Sequence, residues 1–150
     1  MLCLLQRVTE ASVTIERELV GHIDAGLLVL VGVERGDGPA QAGRMVERVL
    51  GYRVFEDEAG RMNLSLARTG GGLLLVPQFT LPADTTRGTR PSFTPAAAPE
   101  EGGRLFNQVV DLARGAAHGP VATGRFGAHM RVALVNDGPV TFMLQVKPGT

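Results

Sequence analysis

The chain has 150 residues, 44% hydrophobic and 20% charged, which fits one compact domain over residues 1–150 and excludes a disordered chain. Fifteen basic residues balance fifteen acidic ones, so a protein living on nonspecific attraction to nucleic acid is excluded, while a grip on a short RNA end through a few placed contacts is not. The single cysteine, Cys3, rules out an internal disulfide and a cysteine-rich metal site, and the opening MLCLLQR is apolar too briefly for a secretory signal or a membrane span, so a reducing cytoplasm is the default compartment.

In chain order the first third reads as strands. Leu2, Leu4 and Gln6 alternate with Cys3, Leu5 and Arg7, and Val13 and Ile15 alternate with Ser12, Thr14 and Glu16. A charged turn at Arg17 leads into a strand over Leu19–Ile23. Leu27–Val33 is a continuous apolar run with a β-branched bias, the pattern of a strand buried on both faces. Asp37 offers an N-cap, and Ala42, Met45, Val46, Val49 and Leu50 follow at helical spacing, which predicts a helix over about 39–51. Tyr52–Phe55 is a strand, Asp57–Gly60 a turn, and Gly70–Gly72 punctuates the chain before a buried strand over Leu73–Phe79. The stretch from Leu81 to about Pro99 is irregular, and a loop of that length is functional or disordered. Leu105, Val109, Leu112 and Ala113 predict a helix over Glu100–Gly115. Strands over Val121–Phe126 and Met130–Val135 follow, then the turn Asn136-Asp137-Gly138-Pro139 and a strand over Val140–Val146. The whole is α/β: most simply a sheet, a second sheet and a layer of two main helices.

The marks of conventional catalysis are missing. His22, His118 and His129 are scattered, and there is no HExxH, CxxC or GxSxG motif. Gly70–Gly72 lacks the GK[ST] ending of a phosphate loop and precedes a strand. Glu56-Asp57-Glu58 reads better as a solvated turn than as a metal site. No metal and no cofactor are called for.

Three segments carry a resemblance. Gln6-Arg7-Val8-Thr9-Glu10-Ala11-Ser12-Val13, Gln78-Phe79-Thr80-Leu81 and Asn136-Asp137-Gly138-Pro139-Val140-Thr141 resemble the opening, the SQFTL motif and the NxGPxT motif of the D-aminoacyl-tRNA deacylases. Arg53-Val54-Phe55, Gly60-Arg61-Met62-Asn63, Arg90-Pro91-Ser92-Phe93 and Phe126-Gly127-Ala128 match in the same order, so the resemblance spans roughly residues 1–146.

The resemblance implies a three-layer β/β/α sandwich and a homodimer that hydrolyses the ester of D-aminoacyl-tRNA, and of glycyl-tRNA mischarged on tRNA(Ala), at the 3′ end. Backbone N–H groups around Gln78, Phe79 and Thr80 would face the reacting carbonyl, with the terminal ribose 2′-hydroxyl assisting. A cis Gly138-Pro139 turn, held by Arg7, would enter the partner subunit's pocket and exclude L-side chains with two backbone carbonyls. Phe126 and Met130 would line the substrate site.

Two positions depart from the family. Pro77 replaces the usual serine, removing a hydroxyl and a backbone donor. His129 stands where aspartate is commoner. A related animal deacylase that clears L-alanine from a wrong tRNA also carries proline at the first position, but it lacks the arginine corresponding to Arg7. The alternatives are therefore a relaxed deacylase that also accepts L-Ala-tRNA, a non-catalytic RNA-end or protein-binding dimer, and a conventional esterase using Thr80 or Ser92 with His129.

Overall fold

The computed structural model describes residues 1–149. One strand, β1 (Leu2–Ile15), runs unbroken where the sequence suggests two short pieces. A two-residue turn at Glu16-Arg17 returns the chain as β2 (Glu18–Ile23), which pairs antiparallel with the second half of β1. After Asp24-Ala25, β3 (Gly26–Gly32) pairs antiparallel with the first half. The last strand, β8 (Arg131–Gln145), pairs antiparallel with β1 along nearly all its length. It also runs through Asn136–Pro139, which the sequence reads as a turn between two separate strands.

Beyond β3 the sheet becomes parallel: β6 (Gly72–Pro77) pairs with β3, and β7 (Val121–Thr123) with β6. The strand order is β2-β1-β3-β6-β7, with β8 attached to β1. Parallel neighbours need a crossover, supplied between β3 and β6 by helix α1 (Pro39–Gly51), the hairpin β4–β5 (Arg53–Glu56 and Met62–Ser65) and the single turn α2 (Leu66–Thr69). Helix α3 (Pro99–Ala116) leads from the 81–98 segment into β7. Strand β5 and helix α2 are absent from the sequence reading, and β7 stops three residues short of the expected Phe126.

Both faces of the sheet are covered, so alternate residues feed two cores. Cys3, Leu5, Leu27, Val29, Val31, Leu73 and Leu75 pack against Met45, Val49, Leu105, Phe106 and Val109 of α1 and α3. The intervening Leu28, Leu74 and Val76 meet Val8, Ala11, Val13 and Ile23 on the opposite side. The sheet thus curls over its own second face, which gives helix, sheet and sheet in three layers and explains why β3 and β6 read as unbroken apolar runs.

The helices follow their apolar faces with two adjustments. Asp37 is not the N-cap of α1; Gly38 is, and its N–H donates to Gln41 Oε1 at 2.8 Å. Asp37 is instead buried, accepting from the α-ammonium of Met1 at 2.9 Å and from the Glu34 N–H at 2.7 Å, and burial pushes its carboxyl pKa upward against those bonds. In α3 the inward face is Leu105, Phe106, Val109, Val110 and Ala113, and Leu112 points outward. No helix among the described residues is long and apolar enough to cross a membrane.

Where β3 and β6 begin side by side, Gly26 and Gly72 are register partners. A Cβ on Gly26 would stand 1.9 Å from the Gly72 carbonyl oxygen, closer than any side chain tolerates. Gly26→Ala is therefore expected to destabilise the fold by about 3 kcal/mol, read as a lowered urea midpoint, because backbone and not a flexible side chain must move.

Candidate functional site

Strand β6 ends at Pro77, and the chain then turns through Gln78, Phe79 and Thr80. The Gln78 N–H donates to the Val31 carbonyl at 2.8 Å, extending the β3–β6 ladder by one bond. That uses the first of the three backbone donors marked by the sequence. The N–H groups of Phe79 and Thr80 make no hydrogen bond among the described residues, and both residues are exposed. The Gln78 side-chain amide donates to the Thr80 hydroxyl, which ties the turn to itself. The Phe79 ring is 58% exposed, so it is no core residue; its only ring neighbour among the described residues is Phe93, with centroids 5.4 Å apart.

Phe79 borders a cleft of about 290 Å³ whose other walls include Pro77, Phe126, Ala128 and Met130. These walls are predominantly apolar, and two of them are set by missing side chains elsewhere. A Cβ on Gly102 or Gly103 would press on the Phe126 ring at 3.2 Å, and one on Gly124 would reach Met130 Sδ at 2.6 Å. The glycines early in α3, which look like helix-weakening residues in the sequence, thus let Phe126 lie against the helix. Pro77, Ala97 and Pro99 also line the cleft, and sequence reasoning did not assign them there. The irregular 81–98 segment is ordered beside it: Asp84 and Ser92 exchange backbone bonds of 2.8 and 2.9 Å, and the Ala97 N–H donates to the Val33 carbonyl at 3.0 Å.

Gly138 and Pro139 lie elsewhere. Gln6 opposes Thr141 and Val8 opposes Asn136, so residues 137–140 bulge out opposite Arg7 alone. Asn136 closes the neck of this bulge: its Oδ1 accepts from the Val140 N–H at 2.7 Å and its Nδ2 donates to Thr141 Oγ1 at 3.0 Å. Arg7, only 8% exposed, donates from Nε to the Asp137 carbonyl at 2.9 Å and from Nη1 to the Val54 carbonyl at 2.8 Å. The Gly138-Pro139 peptide is cis, with Gly138 at φ +147°, and both residues are exposed. A Cβ on Gly138 would meet Val140 Cγ2 at 2.6 Å. Strands β1 and β3 separate β8 from β6, and the bulge lies level with Leu73, four residues from Pro77, so at ordinary strand dimensions it is about 14 Å across the sheet and about 13 Å along it from the cleft. Of the expected site residues, Phe79, Phe126 and Met130 share the cleft, Gln78 and Thr80 flank Phe79 in the chain without lining it, and Arg7, Gly138 and Pro139 form a second unit.

The side chains that normally supply nucleophiles are not arranged as one. Thr80 is bonded to Gln78, Ser92 Oγ donates to Thr94 Oγ1 at 3.1 Å, and His129 lines a different cavity with Thr14, Glu16, Arg17 and Arg131. No histidine is bonded to either hydroxyl among the described residues, so the Thr80 or Ser92 esterase has no general base in place. Cys3 is buried in the helix-side core, and desolvation pushes its thiol up to about 12.

The comparisons with known proteins decide the family. The model of the D-Tyr-tRNA(Tyr) deacylase family matches residues 4–145. The chain belongs to that family. The D-aminoacyl-tRNA deacylase of Thioalkalivibrio sulfidiphilus is 66% identical over 99% of this chain and 99% of its own length. That of Methylococcus capsulatus is 64% identical over 99% of this chain and 96% of its own length. Among solved structures, the c-Myc DNA unwinding element binding protein is 36% identical, with a TM-score of 0.93 over 98% of this chain and 99% of that one. A probable eukaryotic D-amino acid tRNA deacylase, 18% identical, shares the fold at a TM-score of 0.82 over 97% of this chain and 98% of that one.

Two outcomes follow for this deacylase-family chain. Thiol reagents are expected to leave Cys3 unmodified in native protein at mildly alkaline pH and to label it fully in denaturant. Arg7→Ala is expected to lower stability by about 2–3 kcal/mol in equilibrium urea unfolding, because two carbonyls lose a charged donor. Arg7→Lys should recover only part of that loss, since a single ammonium does not reproduce the fixed fork of a guanidinium.

Proposed function

We propose that this protein hydrolyses the ester bond between a D-amino acid, or glycine, and the 3′-terminal ribose of tRNA, in the cytoplasm. The observation that carries the reading is the pair of unbonded N–H groups at Phe79, which lines an apolar cleft, and at Thr80 next to it in the chain, with no nucleophile or base assembled beside them among the described residues. An aminoacyl ester is already activated, so orientation and charge stabilisation supply much of what the reaction needs. Water adds to the ester carbonyl, and the developing oxyanion accepts from the Phe79 and Thr80 N–H groups. The tetrahedral intermediate then expels the ribose 3′-oxygen, which takes up a proton, and the 2′-hydroxyl beside it assists the proton transfers.

Selection against L-amino acids rests on the other unit. Gly138 and Pro139 project from β8 into solvent, held at the neck by Asn136 and at the Asp137 carbonyl by Arg7, and neither lines the cleft of their own protomer. A braced, exposed projection with no occupant on its own chain suits insertion into a second copy, where its carbonyls would stand against the α-carbon. Val132, Val135, Phe142 and Met143 are exposed large hydrophobics on the same strand, and a two-fold interface would cover them. Because such exclusion acts at the α-carbon, D-side-chain identity matters little. The presence of Arg7 on the Asp137 carbonyl favours a chiral filter over a relaxed enzyme that also accepts L-Ala-tRNA.

D-Tyr-, D-Asp- and Gly-tRNA should therefore be cleaved at comparable rates while L-Tyr-tRNA and L-Ala-tRNA persist, measured as loss of the labelled aminoacyl ester. Thr80→Ala should slow cleavage by about tenfold and not abolish it, because a backbone donor survives the substitution. Equal turnover of D-Ala- and L-Ala-tRNA by the wild type would overturn the chiral filter, and a dead Thr80→Ala enzyme would favour a protein nucleophile.

A further inference from the structure

A second cavity, about 640 Å³, lies where the β1–β2 turn meets the start of β8, lined by Thr14, Glu16, Arg17, His129 and Arg131. Two guanidiniums face one carboxylate there in a chain whose overall charge is zero. Among the described residues, neither Arg17 nor Arg131 has an ion pair or a side-chain hydrogen bond, a condition they share with Arg35, Arg61, Arg68, Arg87, Arg90, Arg114 and Arg125, so both guanidiniums are open to a ligand. The turn that carries Arg17 is also unusual. Glu16 and Arg17 stand at φ +48° and +68°, the geometry in which two-residue hairpins ordinarily use Asn-Gly. Two charged, bulky residues at left-handed positions mark a turn kept for what its side chains do, since a glycine would relieve the backbone.

The position of this cavity gives its chemistry. Gly127, Ala128 and Met130 line the ester cleft, and His129 and Arg131 line the basic cavity, so the two share a single stretch of chain. Successive Cα atoms are about 3.8 Å apart, and the alternation of neighbours between the two cavities makes this segment the wall between them. A polynucleotide whose terminal ribose sits in the cleft has its next phosphates within reach of that wall. Planar guanidiniums suit phosphodiesters, and the His129 ring and the Thr14 hydroxyl supply further polar groups.

We infer that the Arg17–His129–Arg131 cavity binds backbone phosphates of the tRNA acceptor strand just before the terminal adenosine, and so positions the ester in the neighbouring cleft. This rests on the deacylase reading above. The site reads phosphate and not sequence, so it contributes affinity for every tRNA alike.

The test uses two substrates, D-Tyr-tRNA and the short ester 3′-(D-tyrosyl)adenosine, which has no acceptor strand. Arg17→Ala/Arg131→Ala is expected to raise KM for D-Tyr-tRNA about tenfold or more with kcat within about twofold. Cleavage of the short ester should be unchanged, and the salt dependence of tRNA binding should flatten by about one unit of log–log slope for each phosphate no longer neutralised. Arg17→Lys/Arg131→Lys should recover most of the affinity, and thermal melting of each variant checks the fold. Equal loss on both substrates, or no change in KM for D-Tyr-tRNA, would overturn the assignment. If the wild type cleaves neither substrate, the deacylase reading falls by itself. Binding of uncharged tRNA, followed by fluorescence anisotropy, then still reads the cavity: a weaker Kd in the alanine variant supports it, and an unchanged Kd overturns it.

Discussion

Hydrogen bonding along both edges of β1 fixes where every other part of the molecule sits. From Leu2 to Gln6 the strand is paired with β3 on one side and β8 on the other; from Ala11 to Thr14 it is paired with β2 and β8. Buried backbone groups have to be satisfied, so a strand sandwiched in this way tolerates little slippage, and its neighbours inherit its register. Between Gln6 and Glu10 the β8 register shifts twice, and there the ladder gives way to a side chain. Arg7 takes up two carbonyls, one from β8 and one from β4, that the regular pattern leaves unused. The sheet changes partner, curls over its second core and ejects Gly138-Pro139 within the same few residues.

Both candidate units are therefore built from main chain and steadied by side chains. At the end of β6 the ladder bond from Gln78 to Val31 ties the start of the turn to β3, and the next two N–H groups have no partner among the described residues. At the bulge, Asn136 imitates a backbone turn and Arg7 grips a carbonyl. Main-chain dipoles held in this way need no reorganisation as charge develops, which suits hydrolysis of a bond that is already reactive. The arrangement also explains why a search of the sequence for paired catalytic side chains finds none.

How much of this was legible depended on whether the signal was periodic. Met45, Val46, Val49 and Leu50 gave α1 directly, and Leu105, Val109 and Ala113 gave α3, although Leu112, just past the Leu105 edge of the buried stripe, faces water. The apolar runs of β3 and β6 were equally plain. Met62–Ser65 and Leu66–Thr69 were not, because four residues are too few to establish a period and their stability comes from neighbours. Asn136–Pro139 reads as a turn in any local view, and only its long-range pairing with β1 makes it a bulge inside one strand. Asp37 has the chemistry of a cap and was drawn away by the buried ammonium of Met1. The candidate site residues were found through the family's motifs; the cleft walls at Pro77, Ala97 and Pro99 carry no local mark of their shared surface.

The partnership of β1 with β8 sets an order of assembly during synthesis. Leu2 pairs with Gln145, and Arg7 bonds a carbonyl 130 residues away, so these contacts close nearly the whole chain into a loop. While the chain is being made, β1 can find β2 and β3 early, but its other edge stays open until the last strand emerges. An unpaired edge bordered by apolar residues is a template for other chains, so the partly made protein is aggregation-prone for as long as β8 has not emerged. Completion of β8 seals that edge and sets the Gly138-Pro139 projection in the same step. A chain truncated before residue 131 would therefore lose both the projection and the strand that protects β1.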